Sequence, residues 1–136
     1  MDKLKTWHLE TWDVTLLRIG LALTLLYAGI SIFIAPTNWV GFVPAWMDAF
    51  YPAESFIIIH GALDVLLAVG LLSGRFLWFF SGVTFFNLTS ILLFYGVDDV
   101  TFRDMGLAFA ALALFVRSIS SAQKLAPEQL ARLYEN

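Results

Sequence analysis

Apolar residues gather into four stretches, at residues 14–35, 53–72, 76–95 and 101–118, separated by short polar or proline-containing breaks. Crossing a bilayer core of about 30 Å takes about 20 apolar residues at 1.5 Å rise each. The pattern therefore predicts an all-α integral membrane four-helix bundle. It would run antiparallel, up and down, as one domain over residues 1–136. A water-soluble chain of this length has too little interior to hide four such segments.

The breaks carry their own signals. Residues 73–75 (Ser-Gly-Arg) predict a tight hairpin between the second and third helices, and residues 96–100 do the same between the third and fourth. Asp98 or Asp99 would cap the fourth helix, whose first turn favours acidic groups. The longest connection, residues 36–52, is apolar rather than polar. Trp39, Phe42, Val43, Trp46, Met47 and Phe50 recur at helical spacing, with Pro44 suited to open a short helix over 45–50. This segment is expected to lie at the membrane interface over the mouth of the bundle. Residues 1–13, with Trp7 and Trp12, would lie along the opposite surface, and Pro127-Glu128-Gln129 would begin a separate short helix. Small residues at four-residue spacing, Gly20-Thr24-Ala28 and Gly106-Ala110, predict close helix packing.

Charge adds an orientation. If both chain ends share one side, that side holds Lys3, Lys5, Arg18, Arg75, Arg117, Lys124 and Arg132, and the other only Arg103. The bias places both termini in the cytoplasm. The first apolar stretch is too long for a signal-peptide core and is expected to be retained. Charged residues make up 14% of the chain, without a basic patch dense enough for nucleic acid. Cysteine is absent, which removes disulfides, a thiol redox cycle, thiolate-held iron–sulfur clusters and c-type haem attachment.

Candidate chemistry lies inside the spans. Counting down from the far end of each helix, Tyr27, His60 and Asn87 sit at one depth, about 10–12 Å inside. Thr24, Asp64 and Thr84 follow one turn deeper, and Arg18 lower still. A carboxylate near the bilayer centre costs about 2.5–3.5 kcal/mol, so Asp64 should face the bundle interior. His60, four residues earlier, should point the same way. An Arg18–Asp64 ion pair is expected to neutralise it, and Glu54–Arg103 would pair nearer the far end. One reading is an internal polar network that sets helix register. Another is a binding pocket lined by Tyr27, His60, Asp64 and Asn87 under a lid of Trp39, Phe42 and Trp46. A flat lipophilic headgroup such as a quinone would suit those walls, with His60 and Asp64 bonded to its ring oxygens. A proton or ion path would use the same residues. His8 lies far from His60, and no catalytic motif or metal-ligand set is evident.

Three segments also carry a resemblance: LLRIGLALTLLYAG (residues 16–29), HGALDVLLAVGLLSG (60–74) and TFRDMGLAFAALAL (101–114). Together they resemble the DoxX-like family of small four-helix membrane proteins, which includes the DoxD-type subunit of thiosulfate:quinone oxidoreductase. The matching positions are Arg18, Gly61, Asp64, Gly70, Arg103 and Asp104. Asp64 stands where glutamate is commoner, and a lysine usual after the first helix's glycine is missing. The resemblance implies an accessory or anchoring subunit of a quinone-linked or redox-associated complex, with a redox partner protein or a second copy of the chain. A small proton-coupled transporter and a ligand-free scaffold for partner helices are the alternatives.

Overall fold

The computed structural model describes the backbone of residues 2–134 and the side chains of residues 12–121. The placements expected for Trp7, His8 and the basic side chains Lys3, Lys5, Lys124 and Arg132 lie outside the described side chains. Four α-helices follow in order: α1 (Asp2–Ile34), α2 (Ala53–Ser73), α3 (Leu77–Phe94) and α4 (Phe102–Tyr134). No strand occurs among the described residues. Stretches of all four, Trp12–Ile34, Ala53–Ser73, Leu77–Phe94 and Phe102–Ser121, are long and apolar enough to cross a membrane. They match the four predicted spans to within three residues at each end.

Two expectations about the chain ends are corrected. The polar lead is the beginning of α1, and residues 127–129 lie within α4 rather than opening a separate helix. Each of these helices has 33 residues, or about 50 Å, well beyond a hydrocarbon core.

Outward faces are apolar. Tyr27, Ile34, Phe86 and Leu93 are each more than 70% exposed, an arrangement that suits acyl chains and would be costly in water. Lipid supplies no hydrophobic drive for helix association, so packing must come from close fit. α1 and α2 touch at Gly29 and Gly61, where a Cβ added to Gly29 would stand 2.7 Å from the Gly61 carbonyl oxygen. A second close fit seats the Phe80 ring of α3 directly on Gly70 of α2. The predicted stripes do not serve this purpose, since Gly20 and Gly106 have no packing neighbour within 4 Å of a Cβ position. α1 packs chiefly on α2 and α3 on α4, whereas contacts between the two pairs are sparse. An apolar core of Leu21, Leu25, Leu67, Ala68, Leu71, Ala111 and Leu114 joins α1, α2 and α4.

The ends of α2 are held by distant side chains. Asp48 Oδ1 accepts the Ala53 N–H at 3.0 Å, covering one donor that the helix start leaves unpaired. At the other end Arg18 Nε and Nη2 donate to the carbonyls of Leu71 and Leu72 at 3.0 and 2.9 Å. Gly74 closes the helix in the left-handed region, at φ 69°. A Cβ there would also meet the Arg18 guanidinium within 3.0 Å. Arg18 is therefore a C-terminal cap for α2 and not the partner of Asp64. Its charge sits at the negative end of the helix dipole, with one N–H aimed at each of two orphan carbonyls.

Candidate functional site

The cavity is built from the far ends of the helices and the connection 35–52. That connection folds as three short 3₁₀ turns, Pro36–Asn38, Val40–Phe42 and Ala45–Ala49, with Pro44 capping the third. The short helix expected over 45–50 is the third of these, in 3₁₀ form and directly after Pro44. Trp39 Nε1 donates to Ser31 Oγ on α1 at 3.1 Å. From there ring contacts run across the gap: Trp39 to Phe42 at 5.8 Å, Phe42 to Tyr95 at 5.1 Å, and Trp46 to Phe94 at 6.0 Å. Offset and edge-on aromatic pairs of this kind add about 0.5–1.5 kcal/mol each beyond their burial. The segment is thus strapped from α1 to the end of α3.

The far side of the strap is a compact turn. Asp98 Oδ1 accepts the N–H groups of Val100 and Thr101 at 2.9 and 2.7 Å, and the Asp98 N–H donates to Thr101 Oγ1 at 2.9 Å. Tyr95 donates its hydroxyl to Asp98 Oδ2 at 3.1 Å. The Thr101 and Val100 N–H groups hold the Asp98 carboxyl below its ordinary value, and donation to that carboxylate raises the Tyr95 hydroxyl above its own. Asp98 thus orders the turn that precedes α4, its bonds going to the N–H groups of Val100 and Thr101. Arg103 donates Nε to Val100 O at 3.2 Å within the same turn. Among the described residues no ion pair joins it to Glu54, so that expected pair is corrected.

Beneath the strap lies a cavity of about 740 Å³, within the range of about 300–1,000 Å³ of ordinary small-molecule sites. Most of its wall is apolar and aromatic, including Leu25, Ile32, Ile57, Leu88 and Ile91 with Trp39, Phe42 and Trp46. Its polar groups come mainly from one face of α2 and the first turn of α4. Phe56, His60 and Asp64 follow at four-residue intervals on α2, so they form a ladder along one side. The Phe56 ring stacks on His60 at 6.4 Å and 24°. His60 Nε2 stands 3.8 Å from Asp64 Oδ2, a charge-range contact longer than a hydrogen bond. Asp64 itself is 4% exposed. Its other oxygen, Oδ1, accepts Asn87 Nδ2 from α3 at 2.9 Å.

Sequence reasoning brought His60, Asp64 and Asn87 to one place, and the structure does the same. One assignment changes. Asn87 is not part of the cavity wall but braces Asp64 from α3. Tyr27 is among the lining residues, as is His60, but 75% of it is exposed. Trp39, Phe42 and Trp46 form the lid as expected. Arg103 and Asp104, missed as wall residues, stand at the mouth. Their place at the head of α4, level with the strap, was the available signal. Thr84 is fully buried and its hydroxyl has no hydrogen-bond partner.

Chemically, the site offers one carboxyl oxygen and an imidazole side by side at the closed end of a lipophilic chamber. The two can bond a headgroup oxygen or exchange a proton with it. Among the described residues no three His, Cys, Asp or Glu side chains stand together as a metal set. Comparison with protein-family models, curated proteins and solved structures finds no match to this chain.

Proposed function

We propose that this multi-pass membrane protein binds the headgroup of a lipophilic molecule, of the isoprenoid quinone class, between His60 and Asp64. The observation that carries the reading is the chamber itself. It is an apolar, aromatic-lidded space whose closed end holds a buried acid braced on one oxygen, with the other oxygen beside an imidazole. A carboxyl group in such a setting is costly, and acids at this depth mark substrate sites and proton relays. The membrane would be a prokaryotic inner membrane, with the helices running up and down, both termini in the cytoplasm and the strap at the outer interface. The protein would act as a DoxX-like accessory subunit, holding a quinone for a redox partner protein. An unbroken apolar core lies beneath Asp64 on α2, at Leu67, Ala68 and Leu71, and this counts against the same residues forming an ion path across the membrane.

Purification of the whole chain in mild detergent tests the proposal. The expected result is copurified quinone, seen by its ultraviolet spectrum after solvent extraction. It should be lost in His60→Ala and in Asp64→Asn while both variants keep their helical content. Retention of the quinone in both variants, or its absence from the wild type reconstituted with quinone-containing lipid, would overturn the assignment.

A further inference from the structure

The cavity extends to the side between α1 and α4. Its wall there consists of Thr24 and Ala28 on α1 facing Gly106 and Leu107 on α4. A second hollow of about 270 Å³ continues along the same seam, between Gly20 and Leu17 on one side and Ala110 on the other. Leu107 belongs to the walls of both, so the two are neighbours along one seam. From Thr24 to Leu16 the seam runs about 12 Å along α1.

Two further facts describe this seam. α1 and α4 contact each other sparsely, whereas α1–α2 and α3–α4 are closely packed. A side chain added at Gly20 or Gly106 would meet no heavy atom within 4 Å. The small residues on these faces therefore keep a gap open instead of closing it. Its sides are apolar, and the Thr24 hydroxyl is already spent on Gly20 O at 3.0 Å. The pair is tied nearer the chain termini by Asp13 and Arg117, 3.8 Å apart.

We propose that the α1–α4 seam is a tail slot. The molecule whose head sits at His60 and Asp64 carries a hydrocarbon tail that leaves the chamber sideways between Thr24 and Gly106 and runs down to Gly20. This rests on the headgroup reading above and adds to it the ligand's shape, one polar ring with a single tail. It also adds the route of entry, from the bilayer and not through the strap. A tail in the slot gains no hydrophobic advantage over a tail in lipid. What the slot provides is room, so filling it acts by exclusion.

Gly106→Leu and Gly20→Leu fill the slot where nothing stands in the way, and each exchanges glycine for a better helix former. Binding is read by quenching of tryptophan fluorescence in detergent, using a decyl-tailed benzoquinone and its tail-less parent. Circular dichroism confirms folding of each variant, and Gly20→Leu carries the comparison between the two probes. Each substitution is expected to raise the Kd of the tailed probe by about tenfold or more, the cost of forcing a chain past a filled space. In Gly20→Leu, whose site lines the second hollow and not the headgroup chamber, the tail-less probe is expected to bind as in the wild type. Equal weakening of both probes, or of neither, overturns the tail slot while leaving the headgroup site standing. Failure of the wild type to bind either probe removes the headgroup site, and the slot with it.

Discussion

Asp64 survives in the interior because each of its oxygens has a different neighbour. Asn87 Nδ2 meets Oδ1 and His60 Nε2 lies near Oδ2. Leaving a buried acceptor unpaired costs more than removing both partners together. Asn87→Leu is therefore expected to destabilise the protein by about 1–3 kcal/mol. Asp64→Leu combined with Asn87→Leu should recover most of that loss, as read by thermal unfolding in detergent. Additive losses would mean the two side chains do not act as a pair. Thr84 presents the reverse case, a buried hydroxyl that has found no partner. Thr84→Val keeps the shape and removes the unsatisfied group, so it should raise stability by about 1 kcal/mol. A loss of stability would mean the hydroxyl is bonded.

Helix ends and turns are set by a few long-range contacts. Arg18 covers the last carbonyls of α2, and charge-assisted bonds of this type contribute about 1.5–3 kcal/mol. Arg18→Gln should lower the unfolding midpoint by a corresponding amount, and Arg18→Lys should restore part of it. An unchanged midpoint in Arg18→Gln would remove the cap from the account. Asp98 orders the turn before α4, and its acidity is increased by the N–H groups of Thr101 and Val100. The folded carboxyl binds its proton less readily than the unfolded one. Its contribution is thus complete above the ordinary value of about 3.9 and is lost as pH falls through the lower folded value. The Thr101 amide resonance should shift with a midpoint below that ordinary value, and Asp98→Asn should abolish the shift. A midpoint at or above the ordinary value would contradict the turn's geometry.

On the scale of the molecule, what a linear reading captures is depth, and what it loses is rotation. The four spans follow from stretch length against membrane thickness. Asp64 turns inward because its charge leaves no other choice, and counting residues placed His60 and Asn87 together one turn above it. Tyr27 shares the depth of His60 and borders the cavity, yet most of its side chain is exposed. Arg18 was near enough to Asp64 by height. Only the tertiary arrangement makes the open carbonyls of Leu71 and Leu72 the acceptors that its guanidinium meets. The glycine spacing misled for the same reason: stripes on α1 and α4 border a gap, and the tight crossing is at Gly29 and Gly61. In the strap, Pro44 marked the start of the short helix, which forms as 3₁₀ over Ala45–Ala49, whereas the two turns before it carried no signal of their own. The parts combine into two closely packed helix pairs with a polar-ended chamber between them, sealed below by leucines and covered above by aromatics.

The central claim is that this chamber, and not the outer surface, holds a lipophilic headgroup. Photolabelling of the whole protein with an azido-substituted quinone, followed by mass-spectrometric mapping of the adducts, addresses it most directly. The account expects adducts on the α2 ladder Phe56, His60 and Asp64 and on the strap from Trp39 to Met47, suppressed by excess unlabelled quinone. Adducts confined to outward positions such as Phe86 and Leu93, unaffected by competitor, would contradict it.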